Sequence, residues 1–108
     1  FLHLAGGGPF AFAGLWSSWT DPATQAPLDS CAIVTTSPNE LAATVHDRMP
    51  AILPRERHAL WLDIGSYDPV ALGALLAPIP ADAMAAFPVS KRVNSPGNED
   101  PRCIEPLR

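Results

Sequence analysis

Charge is scarce in this chain: Asp, Glu, Lys and Arg make up only 17% of its 108 residues, where average globular domains hold about a quarter. Basic charge is absent from the first 47 positions. All seven basic residues (Arg48, Arg55, Arg57, Lys91, Arg92, Arg102 and Arg108) follow, and the formal net charge is −4. That balance excludes nucleic-acid affinity driven by overall charge, because phosphate neutralisation supplies most of it. A local basic surface from Arg48 onward stays open. Cysteine is almost missing too: Cys31 and Cys103 are too few for the disulfide framework of a small secreted domain, and neither stands in a Cys-x-x-Cys or Cys/His ligand spacing. No metal site and no cofactor are expected, and the sparse cysteines favour a reduced, cytoplasmic setting. The sequence also has no apolar run near the roughly 20 residues that span a bilayer, no signal-peptide layout, no initiator methionine and no internal repeat.

What is abundant is apolar residues, at 47%, and proline, at 13 positions. The apolar content suffices for one small core. The prolines divide the chain into short elements with stiff connections and exclude a helical bundle. The expected class is α+β, rich in β-structure and loops.

Phe1 to Leu4 and Phe10 to Trp16 flank Gly6-Gly7-Gly8-Pro9 and predict a β-hairpin that faces a core, with Trp16 and Trp19 closing it. Trp19 to Asp29 reads as a surface loop, and Ser30 to Thr36 as the best strand, with Cys31 an inert buried thiol inside it. Ser37-Pro38-Asn39-Glu40 has the form of a capping box ahead of a helix through about Val45. Pro50 makes His46 to Pro50 irregular or extended, before a strand at Ala51 to Leu53. Helices are expected over Pro54 to Leu62 and, behind Asp68-Pro69, to about Leu76. One helical turn within Ala81 to Phe87, a strand at Pro88 to Val93, a loop at Asn94 to Pro101 and a last strand at Arg102 to Leu107 complete the reading.

The stretch that carries chemistry is His46-Asp47-Arg48-Met49-Pro50. A histidine titrates near neutral pH, with an ordinary pKa of about 6.5, while arginine stays charged and grips carboxylate or phosphate oxygens. In an extended segment His46 and Arg48 face one side and Asp47 the other. Together they point to acid–base chemistry on an anionic substrate; the competing reading is a structural histidine and an arginine paired with Asp47, Glu40 or a helix end. Thr35 and Thr36 end a strand where hydroxyls and amides can meet an anion. Lys91 and Arg92 point to opposite faces if their segment is a strand, Asn94 shapes a turn, and Glu99-Asp100 reads as a solvated turn. His3 and His58 are expected at the surface, and Cys103 lacks an activating base.

In order, Phe10-Ala11-Phe12-Ala13-Gly14-Leu15-Trp16, Cys31-Ala32-Ile33-Val34-Thr35-Thr36, His46 to Leu53 and Pro88-Val89-Ser90-Lys91-Arg92-Val93-Asn94 resemble the C-terminal half of the SOS-response-associated peptidase (SRAP) family. The resemblance covers nearly the whole chain, as the C-terminal portion of a single SRAP domain. It implies an SRAP-like fold of short strands in a barrel-like sheet with short helices. It also implies a parent that crosslinks covalently to abasic sites in single-stranded DNA through an N-terminal cysteine, with an autopeptidase activity as a further family property. By resemblance His46 is the acid–base group, Arg48 holds a flanking phosphate and Thr35 lines the same pocket. The cysteine nucleophile and an asparagine and glutamate of the family site match nothing here and would precede Phe1. The portion alone is then expected to be inactive and prone to self-association. A non-catalytic single-stranded DNA-binding module and an inactive structural half-domain are the alternatives.

Overall fold

A computed structural model describes residues 1–65 and 67–108. Its centre is a three-way junction of backbone. Three segments bend where alanine or valine sits: residues 11–20 at Ala13, 27–36 at Val34 and 49–53 at Ala51. At the bend the hydrogen bonds run in a ring, from Ala13 N to Ala51 O (2.8 Å), Ala51 N to Val34 O (2.9 Å) and Val34 N to Ala13 O (2.9 Å). Small side chains are needed there, and Ala13 and Ala51 are wholly buried.

From this junction three antiparallel ladders diverge. Strand β2 (Ala11–Phe12) pairs with β7 (Ile52–Leu53), β3 (Gly14–Thr20) with β4 (Pro27–Ile33), and β5 (Thr35–Thr36) with β6 (Met49–Pro50). A fourth ladder joins β1 (Leu2–Leu4) to β8 (Met84–Ala86). Helices α1 (His58–Leu62) and α2 (Pro69–Ala74) are short, and single 3-10 turns occupy Ala42–Thr44, Arg55–Arg57, Ala81–Ala83, Lys91–Asn94 and Pro101–Ile104. The α+β class is as expected. The strands form two-stranded ladders, and among the described residues they do not close into a barrel.

Strand alternation splits the core. Ile52 joins Ala42, Met49 and Met84 with Leu2, Phe10 and Ile79 around them, whereas Ala51 and Leu53 turn the other way to Ala13, Trp61, Leu75 and Leu76. The Trp61 indole N–H also donates to Gly14 O at 3.1 Å, tying α1 to the junction. Asp68 caps α2 as its sequence predicts, with Oδ1 accepting from Val70 N at 3.0 Å.

Several local expectations are corrected by long-range pairing. Phe1 to Leu4 and Phe10 to Trp16 do not pair with each other; they reach β8 and β7, because Gly7 and Gly8, at φ of +76° and +82°, turn the chain away instead of closing a hairpin. The hairpin lies at β3–β4, so the loop shrinks to residues 21–26, and Trp16, Trp19 and Cys31 are exposed. Ser37 does not cap a helix; only the turn Ala42–Thr44 follows. Pro88 to Val93 and Arg102 to Leu107 are mainly 3-10 turns, joined by a single bridge from Val89 to Pro106. Asp100-Pro101 is the same cap-plus-proline signal as Asp68-Pro69, and the Asp100 side chain accepts from Arg102 N.

Candidate active site

The loop from Asn39 to Met49 is held at both ends by one buried residue. The Asn39 carboxamide oxygen accepts from Ala42 N at 2.9 Å, its amide nitrogen donates to Ile79 O at 3.0 Å, and its backbone N–H points at Met49 Sδ, 3.3 Å away. Asparagine therefore does the capping that Ser37 was expected to do. Its carboxamide suits the place because it offers an acceptor and a donor at once, which a hydroxyl or carboxylate does not do in this arrangement. The turn it caps hands directly to the chemistry: His46 N donates to Ala42 O at 3.0 Å.

His46 is exposed and its ring is held by its own chain. Nδ1 lies 3.0 Å from the Arg48 backbone N–H donor, 3.0 Å from Asp47 Oδ1 and 3.2 Å from Arg48 O. A neutral ring protonated on Nδ1 donates to Asp47 or to the Arg48 carbonyl and leaves Nε2 as the base, one protonated on Nε2 accepts from Arg48 N, and a doubly protonated ring donates from both nitrogens. Each of these forms thus has a partner at Nδ1. Nε2 has no protein partner among the described residues and is free to exchange a proton with a bound molecule. The two side chains His46 and Asp47 lie together, whereas an extended segment would have sent them to opposite sides.

Arg48 reaches across the β5–β6 ladder to Thr35. Its Nη2 donates to Thr35 O at 2.9 Å and to Thr35 Oγ1 at 3.1 Å, and Nε donates to the same hydroxyl at 3.3 Å. The register that pairs Thr35 with Pro50 brings the two within reach. None of the expected competitors, Asp47, Glu40 or a helix end, holds the guanidinium. Its Nη1 group has no protein acceptor among the described residues and projects donors for an anion. Thr35 is therefore the support of Arg48, with its hydroxyl already engaged as an acceptor.

The other basic and titratable candidates lie elsewhere. Asp100 is clamped by two guanidinium groups, Arg92 Nη2 at 2.6 Å and Arg102 Nη2 at 3.0 Å from Oδ2. Those hydrogen bonds, Arg102 first and Arg92 second, hold its carboxyl well below the usual carboxylate range. Asp100 is a clamp and not a solvated turn, and it engages Arg92 Nη2 within the chain. His58 and His3 are half-buried and bond to the carbonyls of Leu53 (2.9 Å) and Leu4 (2.7 Å), so neither is a free surface group. Cys103 is buried. A concavity of about 690 Å³ is walled by Leu4, Phe10, Ile52 and Ile79 with Arg55 and His58 beside them, and includes none of His46, Arg48 and Thr35. Among the described residues no cluster of His, Cys, Asp or Glu could hold a metal ion, and no helix is long and apolar enough to cross a membrane.

The model of the SOS response associated peptidase (SRAP) family matches residues 1–96. The chain belongs to the SRAP family. It is 47% identical over 104 residues to the abasic site processing protein YoqW of Bacillus subtilis, a match that covers 96% of this chain and 46% of the relative. It is 35% identical over 96 residues to the abasic site processing protein HMCES of Gallus gallus, covering 88% of this chain and 28% of that one. A solved protein from Bacteroides thetaiotaomicron, 26% identical, superimposes with a TM-score of 0.85 over 99% of this SRAP chain and 47% of its own. The chain spans about half the length of the Bacillus relative.

Proposed function

We propose that this SRAP chain supplies the acid–base and phosphate-holding part of a site that captures abasic sites in single-stranded DNA. The observation that carries the reading is the juxtaposition of an unpartnered imidazole Nε2 on His46 with a guanidinium that Thr35 fixes two residues further on, leaving Nη1 open. An abasic deoxyribose is mostly the closed hemiacetal. Ring opening moves a proton from the anomeric hydroxyl and gives one to the ring oxygen, transfers that an imidazole serves in both directions. The freed aldehyde condenses with the amine of an N-terminal cysteine, expelling water to form an imine. The thiol then adds to the imine carbon and closes a thiazolidine. That cysteine comes from the part of an SRAP domain outside this sequence. Arg48 holds a flanking phosphate by charge-assisted hydrogen bonds and so sets the sugar beside His46. The same proton transfers run backwards in release, and an autopeptidase reaction of the N-terminus would use the same cysteine.

The test is a complete domain in which this chain replaces the matching segment of the Bacillus subtilis relative. It is expected to form a covalent product with abasic but not with intact single strands. Arg48→Ala is expected to weaken binding to both kinds of strand, and His46→Ala to lower covalent capture with binding retained. If intact and abasic strands are held alike and no covalent product forms, the chain is a binding module and the catalytic reading fails.

A further inference from the structure

The β3–β4 ribbon carries large apolar side chains on both faces, among Ser18, Asp29 and Thr20 on one and Ser17 and Ser30 on the other, and both faces are exposed. Register places Trp16, Cys31 and Ile33 on one face and Leu15, Trp19 and Leu28 on the other; Trp16 is 76% and Trp19 55% exposed. An ordinary surface hairpin buries one face and turns a polar one to water, and a lone two-stranded ribbon is barely stable. Size gives the same message. The chain exposes 8124 Å², roughly 2,300 Å² more than a compact chain of its length. Its radius of gyration is 17.4 Å where about 13 Å is usual. The excess matches one side of an obligate interface.

We propose that the ribbon is a docking surface gripped on both faces by the complementary half of an SRAP domain, and that this half binds even when supplied as a separate polypeptide. The occupant follows from the comparison: the superimposed Bacteroides chain keeps this fold in 47% of its length, so about as much chain again is available to clothe it. A second copy set ribbon to ribbon about a two-fold axis would cover one face of each and leave the other in water. A segment wrapping the ribbon covers both.

The test co-expresses the chain with the part of the Bacillus relative outside the matched segment. The expected result is a 1:1 complex by light scattering, with labelling of the Cys31 thiol by a disulfide reagent, mapped by mass spectrometry, slowed by about tenfold or more against the chain alone. Trp16→Ser and Trp19→Ser, one per face, are each expected to weaken the complex by about tenfold or more, the loss typical of a central aromatic anchor. Both side chains face water in the isolated chain, so its circular dichroism is expected to be unchanged by either. Absence of a complex with Cys31 labelled at the free rate overturns the proposal. So does an effect from only one tryptophan, or a homodimer of the chain alone with Cys31 already protected, which would assign the ribbon to a second copy.

Discussion

Arg48 is pinned to Thr35, 13 residues away, by a contact to its carbonyl oxygen at 2.9 Å and two to its hydroxyl. The carbonyl fixes the position of the guanidinium and the hydroxyl its tilt, which together decide where Nη1 points. Thr35→Val keeps the shape and the carbonyl but removes the hydroxyl acceptor. In a complete domain it is expected to weaken single-stranded DNA binding by about two- to fivefold, in keeping with roughly 0.5–1 kcal/mol for an exposed hydrogen bond. Fluorescence anisotropy reads this. Wild-type affinity in Thr35→Val, with loss in Arg48→Ala, would mean the hydroxyl plays no part in aiming Arg48.

Asn39 is expected to be the costliest single site outside the apolar core. Asn39→Ala leaves Ala42 N and Ile79 O without their partners, and loss of satisfied buried groups costs about 2–3 kcal/mol. Asn39→Asp keeps the cap but sets a carboxylate against the Ile79 carbonyl, so it is not expected to rescue. Urea denaturation compares the three; an Asn39→Ala midpoint equal to wild type would show that the loop is held by other means.

The Asp100 clamp makes stability depend on pH in one direction. Its carboxyl is held below its ordinary value of 3.8 by Arg102 and Arg92. A group whose folded pKa is depressed stabilises fully above its unfolded pKa and loses that contribution as pH falls towards the folded one. The thermal midpoint of Asp100→Asn is therefore expected to lie below wild type at pH 6 and to converge on it as pH falls below about 4. A gap that is constant from pH 6 to pH 3 would rule out an ionised clamp.

Gln25 has φ of +60° in the hairpin loop, where its N–H bonds Asp21 O at 2.7 Å. A side chain there carries the left-handed penalty that glycine escapes. Gln25→Gly is expected to stabilise the chain by about 0.5–1 kcal/mol with an unchanged denaturant slope, and a lower midpoint would refute this.

Local signals were legible where the sequence alone closes the hydrogen bonds. Asp68-Pro69 names its own helix, a 3-10 turn at Arg55–Arg57 runs into α1 behind an extended Pro54, and His46 and Arg48 stand out as a titratable and a charged side chain two residues apart. What was hidden depends on partners far along the chain. Leu2 pairs with Ala86 and Phe12 with Ile52, and no local pattern distinguishes those pairings from the hairpin that Phe1 to Leu4 and Phe10 to Trp16 predict. Asn39 was masked by the serine two residues before it, since both are good caps. Thr35 was legible as a polar strand end, but its role as the seat of Arg48 needed the β5–β6 register. The β3–β4 pairing is hidden because Asp21-Pro22 and Ala26-Pro27 read as a longer loop, and large apolar residues stand on both faces of the ribbon.

The most direct test of His46 as the acid–base group is the rate at which a complete domain carrying this chain closes and releases its covalent bond with an abasic single strand, followed on denaturing gels for wild type and His46→Ala. General acid–base groups contribute about 10²–10⁴-fold, so the variant is expected to be at least about a hundredfold slower in both directions while binding the strand with similar affinity. Equal rates in the two proteins would contradict the assignment.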